Sequence, residues 1–316
     1  MHRETRPSFY LNVRKNLFYC HGCGRGGDVI RFVELSRHVS FRESVAHLRQ
    51  QLEPAPLAEL LQETAAFYRL QLHRHPEAAQ YLDGQCAFNS CTSGLRDAAL
   101  IEELGVGYAP GGNLRRHLVS LGYSPELLLS TGLINHQGRD AMCRRVIFPC
   151  CEHGQIVNLY GRSIGAAFPH RLLPRSKGGL FAWNNVLSTL APSVRPYSTG
   201  ARVESTFVIL VEGLFDLAVL WQAGFRNTTC ALGTHLTPAQ LAQLCEAPHR
   251  SVYIVFDQDE NHAGQQASRQ LAQHLHCAGI RTHMVQLPLG HDPNSYFAAG
   301  ATAADFTACL EQAQCL

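Results

Sequence analysis

Two short apolar runs each stop on acidic residues, and this constrains the fold more than any other feature of the chain. Phe207-Val-Ile-Leu-Val211 runs into Glu212-Gly213-Leu-Phe-Asp216, and Val252-Tyr-Ile-Val-Phe256 runs into Asp257-Gln-Asp259. Runs of this length, β-branched and aromatic, read as strands buried on both faces. From Phe207 onward such runs alternate with helical patterns: a helix from Asp216 to Gln222, a strand at Thr228–Leu232, a helix from Pro238 to Cys245. The Val252 strand, a helix from Gly264 to His276 and a strand at Arg281–Gln286 complete the series. That alternation predicts a mostly parallel sheet with right-handed crossovers. The acids then fall at the carboxyl ends of strands, where open α/β sheets place their chemistry. Carboxylates gathered there repel one another unless a cation neutralises them, and hard divalent ions take oxygen ligands and work with phosphates. The pattern points to metal-assisted phosphoryl chemistry.

The rest of the chain is of a different kind. Phe9–Val13 and Leu17–Tyr19 flank a polar turn and predict a hairpin. Cys20-His-Gly-Cys23-Gly-Arg-Gly-Gly27 follows, and Asp28 is placed to cap a helix through Val33; a second helix is expected at about Ser40–Gln51. Pro54 and Pro56 mark a linker, followed by helices at Leu57–Leu72 and Pro76–Leu82 and a polar connection at Gly84–Gly94. Between Ala98 and Asn185 the pattern mixes a short strand near Gly105–Pro110, helices at Asn113–Leu121 and Ser124–Ser130, and a strand pair at Val146–Pro149 and Gln155–Tyr160. Residues 188–205 read as a connection and the last stretch, Asp292–Leu316, as helical. With 316 residues, 46% apolar and 16% charged, the chain is long enough for two or three globular domains.

A net charge of +2 does not by itself indicate nucleic acid. The basic residues are almost all Arg, with Lys only at 15 and 177; this suits bidentate phosphate recognition and also suits a GC-rich genome. Twelve Cys, no secretory signal and no membrane-length apolar stretch suggest a cytoplasmic protein whose cysteines bind metal or are simply buried. Cys20-x-x-Cys23 suits tetrahedral zinc, and alone it equally suits a redox pair. Asp216 reads as a helix cap as readily as a site residue. A single Arg reads first as solvated surface.

Three motif groups, in order, resemble one family. His2-x-Glu4-x-x-Pro7-Ser8-Phe9 with Phe18-Tyr-Cys20-His-Gly-Cys23 and Gly27-Asp28-Val-Ile30 resembles the CHC2 zinc-binding domain of bacterial DnaG-type DNA primases. Leu104–Pro110, Arg144-Arg145-Val-Ile-Phe-Pro149, Gly154–Arg162 and Pro174–Phe181 resemble that family's polymerase entry, basic strands and a basic segment before Leu-Phe. Glu212-Gly-x-x-Asp216, Ala231-Leu-Gly233-Thr234 and Asp257-x-Asp259 with Gly264 resemble the toprim domain. Asp292-Pro-Asn294 resembles a further acidic element whose second acid is Asn here.

The resemblance implies a multi-domain α/β protein: a zinc-ribbon-like module at 1–52, a helical linker at 53–94, a mixed α/β lobe at 95–204, a toprim domain at 205–290 and a helical tail at 291–316. It implies zinc on His2, Cys20 and Cys23; the family's first Cys would fall three residues before His2. It implies Mg²⁺ or Mn²⁺ on Glu212, Asp257, Asp259 and Asp292, with Glu212, Asp257 and Asp259 catalytic and Gly213, Asp216 and Gly264 in support. Arg144, Arg145, Arg162, Arg175 and Lys177 would hold template and nucleotide. Arg25, Arg31, Phe18 and Tyr19 of the zinc module would contact single-stranded template. The implied activity is synthesis of short RNA primers on single-stranded DNA from ribonucleoside triphosphates. Only about two dozen residues follow Asp292, so the family's helical bundle and helicase-binding domain are not expected, nor a standard helicase partner; a plasmid, phage or integrated-element form fits. A toprim nuclease and a non-catalytic zinc-dependent DNA-binding protein are the alternatives.

Overall fold

A computed structural model describes residues 7–12, 16–52, 55–84, 94–164, 170–190, 207–246, 251–256 and 263–315. The chain divides into two compact units, Met1–Glu59 and Leu60–Leu316.

In the first unit, β1 (Phe9–Asn12), β2 (Leu17–Cys20) and β3 (Arg25–Gly27) form an antiparallel sheet in that order. The hairpin expected from the two aromatic runs is present, with Tyr10 opposite Tyr19 and Phe9 opposite Cys20. Period-two alternation sorts its rings: Phe18 is buried against Phe9 and Phe32, whereas Tyr10 and Tyr19 are exposed. Helices α1 (Val29–Arg37) and α2 (Phe41–Leu52) follow. Asp28 caps α1 as expected, accepting from the Arg31 amide at 2.9 Å. At α2 the Ser40 amide donates to Glu43, which receives the Ser40 hydroxyl as well.

Helix α3 (Ala55–Leu72) begins before Pro56, so this proline lies in a helical first turn and not in a linker. Proline is tolerated there because a first-turn N–H has no intrahelical partner. After α4 (Pro76–Leu82), α5 (Ala98–Glu103), β4 (Gly107–Ala109), α6 (Leu114–Ser120) and α7 (Pro125–Ser130) come β5 (Arg145–Glu152), β6 (Gln155–Ser163) and β7 (His170–Leu172). β4 to β7 make a four-stranded antiparallel sheet in sequence order. A helix the sequence pattern does not announce, α8 (Trp183–Leu190), packs Trp183, Val186 and Leu190 inward.

The expected alternation then appears: β8 (Phe207–Val211), α9 (Leu214–Gln222), β9 (Thr228–Cys230), α10 (Pro238–Cys245), β10 (Ser251–Val255), α11 (Ala263–Cys277) and β11 (Thr282–Met284). Helices α12 (Pro293–Ala298) and α13 (Ala303–Glu311) and a final strand, β12 (Gln314–Cys315), complete the chain. The sheet order is β12-β11-β10-β8-β9, parallel throughout except for β12. The carboxyl-terminal stretch is therefore helical as expected but closes on an antiparallel edge strand. β8 is apolar throughout, with Val208 to Val211 all buried, as a strand covered on both faces must be. One core runs from Leu72 and Tyr81 through Phe148 to Trp221, Phe256 and Phe306, joining the two sheets of the larger unit. Among the described residues no helix is long and apolar enough to cross a membrane.

Candidate metal and nucleic-acid site

β8 ends at Val211, and Glu212 follows; β10 ends at Val255, and buried Phe256 follows. Val211 pairs with Val255 across the parallel ladder, so Glu212 and Phe256 leave neighbouring strands at the same level. Asp257 and Asp259, next in the chain, lie outside the described residues, as does His2. Gly264 lies in the first turn of α11.

Glu212 is half-buried. Its backbone carbonyl accepts from the Gly233 amide at 3.0 Å and from the Cys230 thiol at 3.1 Å, which fixes the turn between strand and helix. Gly213 then caps α9, and its amide donates to Asp216 Oδ2 at 3.2 Å. A Cβ at Gly213 would lie 2.7 Å from that oxygen, so any larger residue there would displace the carboxylate. Asp216 is buried, and its Oδ1 accepts from the Asn294 amide at 3.1 Å. The cap reading of Asp216 is thus present in the structure, with an added tie to α12. Asp292 caps α12, its Oδ1 accepting from the Ser295 amide at 2.5 Å. Asn294 Oδ1 accepts from the Gly94 amide at 3.1 Å.

The five basic residues do not form one surface. Arg145 faces Ser163 and Arg162 faces Val146 across the β5–β6 ladder, so these two side chains project from opposite faces of the sheet. Arg145 lies across Gly161, where a Cβ would meet its Cδ at 2.8 Å, and its Nη1 donates to the Cys143 carbonyl at 2.9 Å. Burial and the neighbouring Arg171 both disfavour its charged form. Arg171 sits opposite Gly161 on β7 and shares the Arg145 face. The sequence reading passes over Arg171, although alternation along His170-Arg171-Leu172 carries the signal.

Arg144 is exposed, with its backbone left-handed at φ 57° and its amide on the Ala109 carbonyl at 2.6 Å. Arg175 is half-buried in the segment after β7. Lys177 does not project as a free phosphate hand: its ammonium donates to the carbonyls of Ala231 at 2.8 Å, Leu232 at 3.1 Å and His235 at 3.2 Å.

Beside the Arg145 face lies a buried pair that no motif signals. Asp140 Oδ1 accepts the Tyr68 hydroxyl at 2.9 Å and the Met142 amide at 2.8 Å. Burial pushes the Asp140 carboxyl up to about 6, against the pull of Met142, Tyr68, Arg145 and Arg171.

In the smaller unit Cys20 is buried and Cys23 half-buried at the β2–β3 knuckle. The Ser8 hydroxyl, 3.5 Å from Cys20 Sγ, and the backbone N–H groups of Cys23 and Gly22 hold the Cys20 thiol below its ordinary range. Cys20 and Cys23, on either side of the knuckle, supply two soft donors of the kind a tetrahedral zinc site uses. Phe18 belongs to the module's core and not to its surface. Exposed Tyr10 and Tyr19 instead flank His21, with ring centroids 5.2 and 4.8 Å away. Arg31 pairs with Glu34 at 3.0 Å, and Arg25 is exposed. Among the described residues no three His, Cys, Asp or Glu side chains gather as a metal cage.

Residues 1–58 match the CHC2 zinc finger model and residues 209–297 the Toprim-like model. These two segments imply the use of zinc and of a divalent cation. A DNA primase of Aquifex aeolicus is 31% identical over 93% of this chain, and one of Pseudomonas putida is 30% identical over 98%. The chain spans 59% and 49% of those two proteins. A solved Aquifex aeolicus primase structure comprising the zinc-binding and RNA polymerase domains superposes with a TM-score of 0.67 at 27% identity, covering 100% of this chain and 77% of that one.

Proposed function

This chain is a homologue of the DnaG-type primases, and on that premise we propose that it synthesises short RNA primers on single-stranded DNA from ribonucleoside triphosphates. The observation that carries the reading is the carboxyl edge of the parallel sheet. Glu212 leaves β8 level with Phe256, which follows β10 and precedes Asp257 in the chain. Asp257, Asp259 and Glu212, joined by the Asp292 oxygen not used in capping, would hold Mg²⁺ or Mn²⁺. When bound, such an ion supplies acidification of the primer 3′-hydroxyl and neutralisation of the triphosphate leaving group. In the alternative arrangement Glu212 would leave the ion to the aspartates and accept the hydroxyl proton itself. Arg145 and Arg171, on one face of the antiparallel sheet, would grip phosphate, and exposed Arg144 would extend that grip. The finer domain division, with the zinc module ending near residue 52 and the toprim region spanning 205–290, belongs to the same proposal.

In the zinc module, Cys20 and Cys23 with His2 would hold the ion and keep the hairpin in shape. Tyr10, His21 and Tyr19 would present ring faces to template bases, since stacking on aromatics is tolerant of sequence.

The test is a gel of single-stranded DNA incubated with a divalent cation, with and without labelled ribonucleotides, for wild type and Asp257→Asn. Labelled short products that need ribonucleotides and vanish in the variant are expected. Cleavage of the DNA without ribonucleotides would establish the nuclease instead. Binding with neither product would establish a non-catalytic DNA-binding protein.

A further inference from the structure

We infer that Lys177 is a positioning residue, the central tie of a strap that fixes the Glu212 strand end against the antiparallel sheet. The inference rests on the reading of Glu212 as part of the transfer site.

The strap is the segment Leu173–Leu180. Its beginning is held by Asn158, fully buried on β6. Asn158 Nδ2 donates to the carbonyls of Leu173 at 3.4 Å, Arg175 at 3.2 Å and Ser176 at 2.9 Å, while its Oδ1 accepts from the Leu173 amide at 3.0 Å. Its end is held by α10. Gln243 Oε1 accepts from the Leu180 amide at 2.7 Å, and buried Gln240 donates to the Gly179 carbonyl at 3.2 Å and the Ala231 carbonyl at 3.1 Å.

Between these anchors Lys177 reaches the turn after β9. Its ammonium has three donors, and three backbone carbonyls of that turn receive them. The same turn supplies the Gly233 amide to the Glu212 carbonyl. An unbroken set of hydrogen bonds therefore runs from the antiparallel sheet, through Asn158, the strap and Lys177, to the residue after β8. A phosphate grip and an acidic edge act together only if their separation is held, and a displacement of about 1 Å costs on the order of 100-fold in rate.

The geometry separates this role from a phosphate contact. Three converging carbonyls suit a compact ammonium with rotatable donors, whereas a planar guanidinium cannot reproduce that tripod. Phosphate would accept either group.

Full-length wild type, Lys177→Met, Lys177→Arg and Gln240→Met are to be compared by amide hydrogen exchange, by single-stranded DNA affinity across a salt series, and by primer-synthesis kinetics. Both Lys177 variants are expected to speed exchange at Leu232–Leu236. Both should lower kcat by roughly 10- to 100-fold with KM for ribonucleotides unchanged, and leave the salt dependence of DNA affinity intact. Gln240→Met, which frees the same turn without altering charge, should lower kcat in the same way. The inference is overturned if Lys177→Arg matches wild type while Lys177→Met lowers the salt slope by about one, the mark of a lost phosphate contact. The exchange comparison does not need activity. If the wild type makes no primers yet exchange rises in both Lys177 variants, the strap stands and the functional reading fails.

Discussion

Asp216 Oδ1 accepts the backbone amide of Asn294 at 3.1 Å, so the carboxylate that caps α9 also fastens α12 beside the Glu212 edge. Both Asp216 oxygens receive N–H donors, from Gly213 and from Asn294. Asp216→Asn would turn an amide NH₂ toward one of those donors. A loss of about 1–3 kcal/mol in stability is expected in urea titrations without added metal. A variant as stable as wild type would assign Asp216 to chemistry alone.

Asp140 supplies a pH signature. Its folded carboxyl titrates at about 6, raised by burial from the usual 3.8. A raised carboxylate favours the folded state when protonated, so its contribution is present below the unfolded value and is lost as pH climbs through the folded one. Between pH 7 and pH 5 wild type should therefore gain about 1 kcal/mol relative to Asp140→Asn, which cannot titrate. Parallel stability curves over that window would show that Tyr68, Met142 and the nearby Arg side chains keep Asp140 ionised.

Asn158 is fully buried and bonds backbone groups on both β6 and the strap. Asn158→Leu keeps the branched shape, adds bulk at a fully buried position and orphans several of those groups. The expected cost is at least about 3 kcal/mol, since each buried group left without a partner costs about 1–3 kcal/mol. Chemical denaturation gives the value, and a loss below 1 kcal/mol would mean that the strap finds other partners.

At the Cys20–Cys23 knuckle, zinc release by a thiol reagent, read with a colorimetric chelator, should yield one ion per wild-type chain. Cys20→Ser and Cys23→Ser should each retain far less. Equal zinc in all three proteins would place the ion elsewhere.

The parallel sheet was legible because Phe207–Val211 and Val252–Phe256 are short β-branched and aromatic runs, apolar at every position, set in alternation with helical patterns. Helix caps were legible too: Asp28 and Asp216 carry local chemistry that does not depend on the rest of the fold. β12 was not, because two residues become a strand only by pairing with Met284 and His283. α8 was hidden in a short stretch around Asn184 and Asn185, and its burial of Trp183 is a tertiary fact. For the candidate site, sequence placed Glu212 at a strand end but could not tell where Lys177 points, since its partners lie 54 to 58 residues away. The separation of Arg145 from Arg162 follows from alternation once the ladder register is known. Asp257, Asp259 and His2 fall outside the described residues, so their part rests on the motif alone.

The central claim is tested most directly by primer synthesis on single-stranded DNA with labelled ribonucleotides and Mg²⁺ or Mn²⁺, comparing wild type, Glu212→Gln and Asp257→Asn. The account expects short, ribonucleotide-dependent products from wild type and their loss by at least ~100-fold in both variants, in line with the removal of a group that stabilises developing charge. Undiminished products from Glu212→Gln, or no products from a wild type that still binds the DNA, would contradict it.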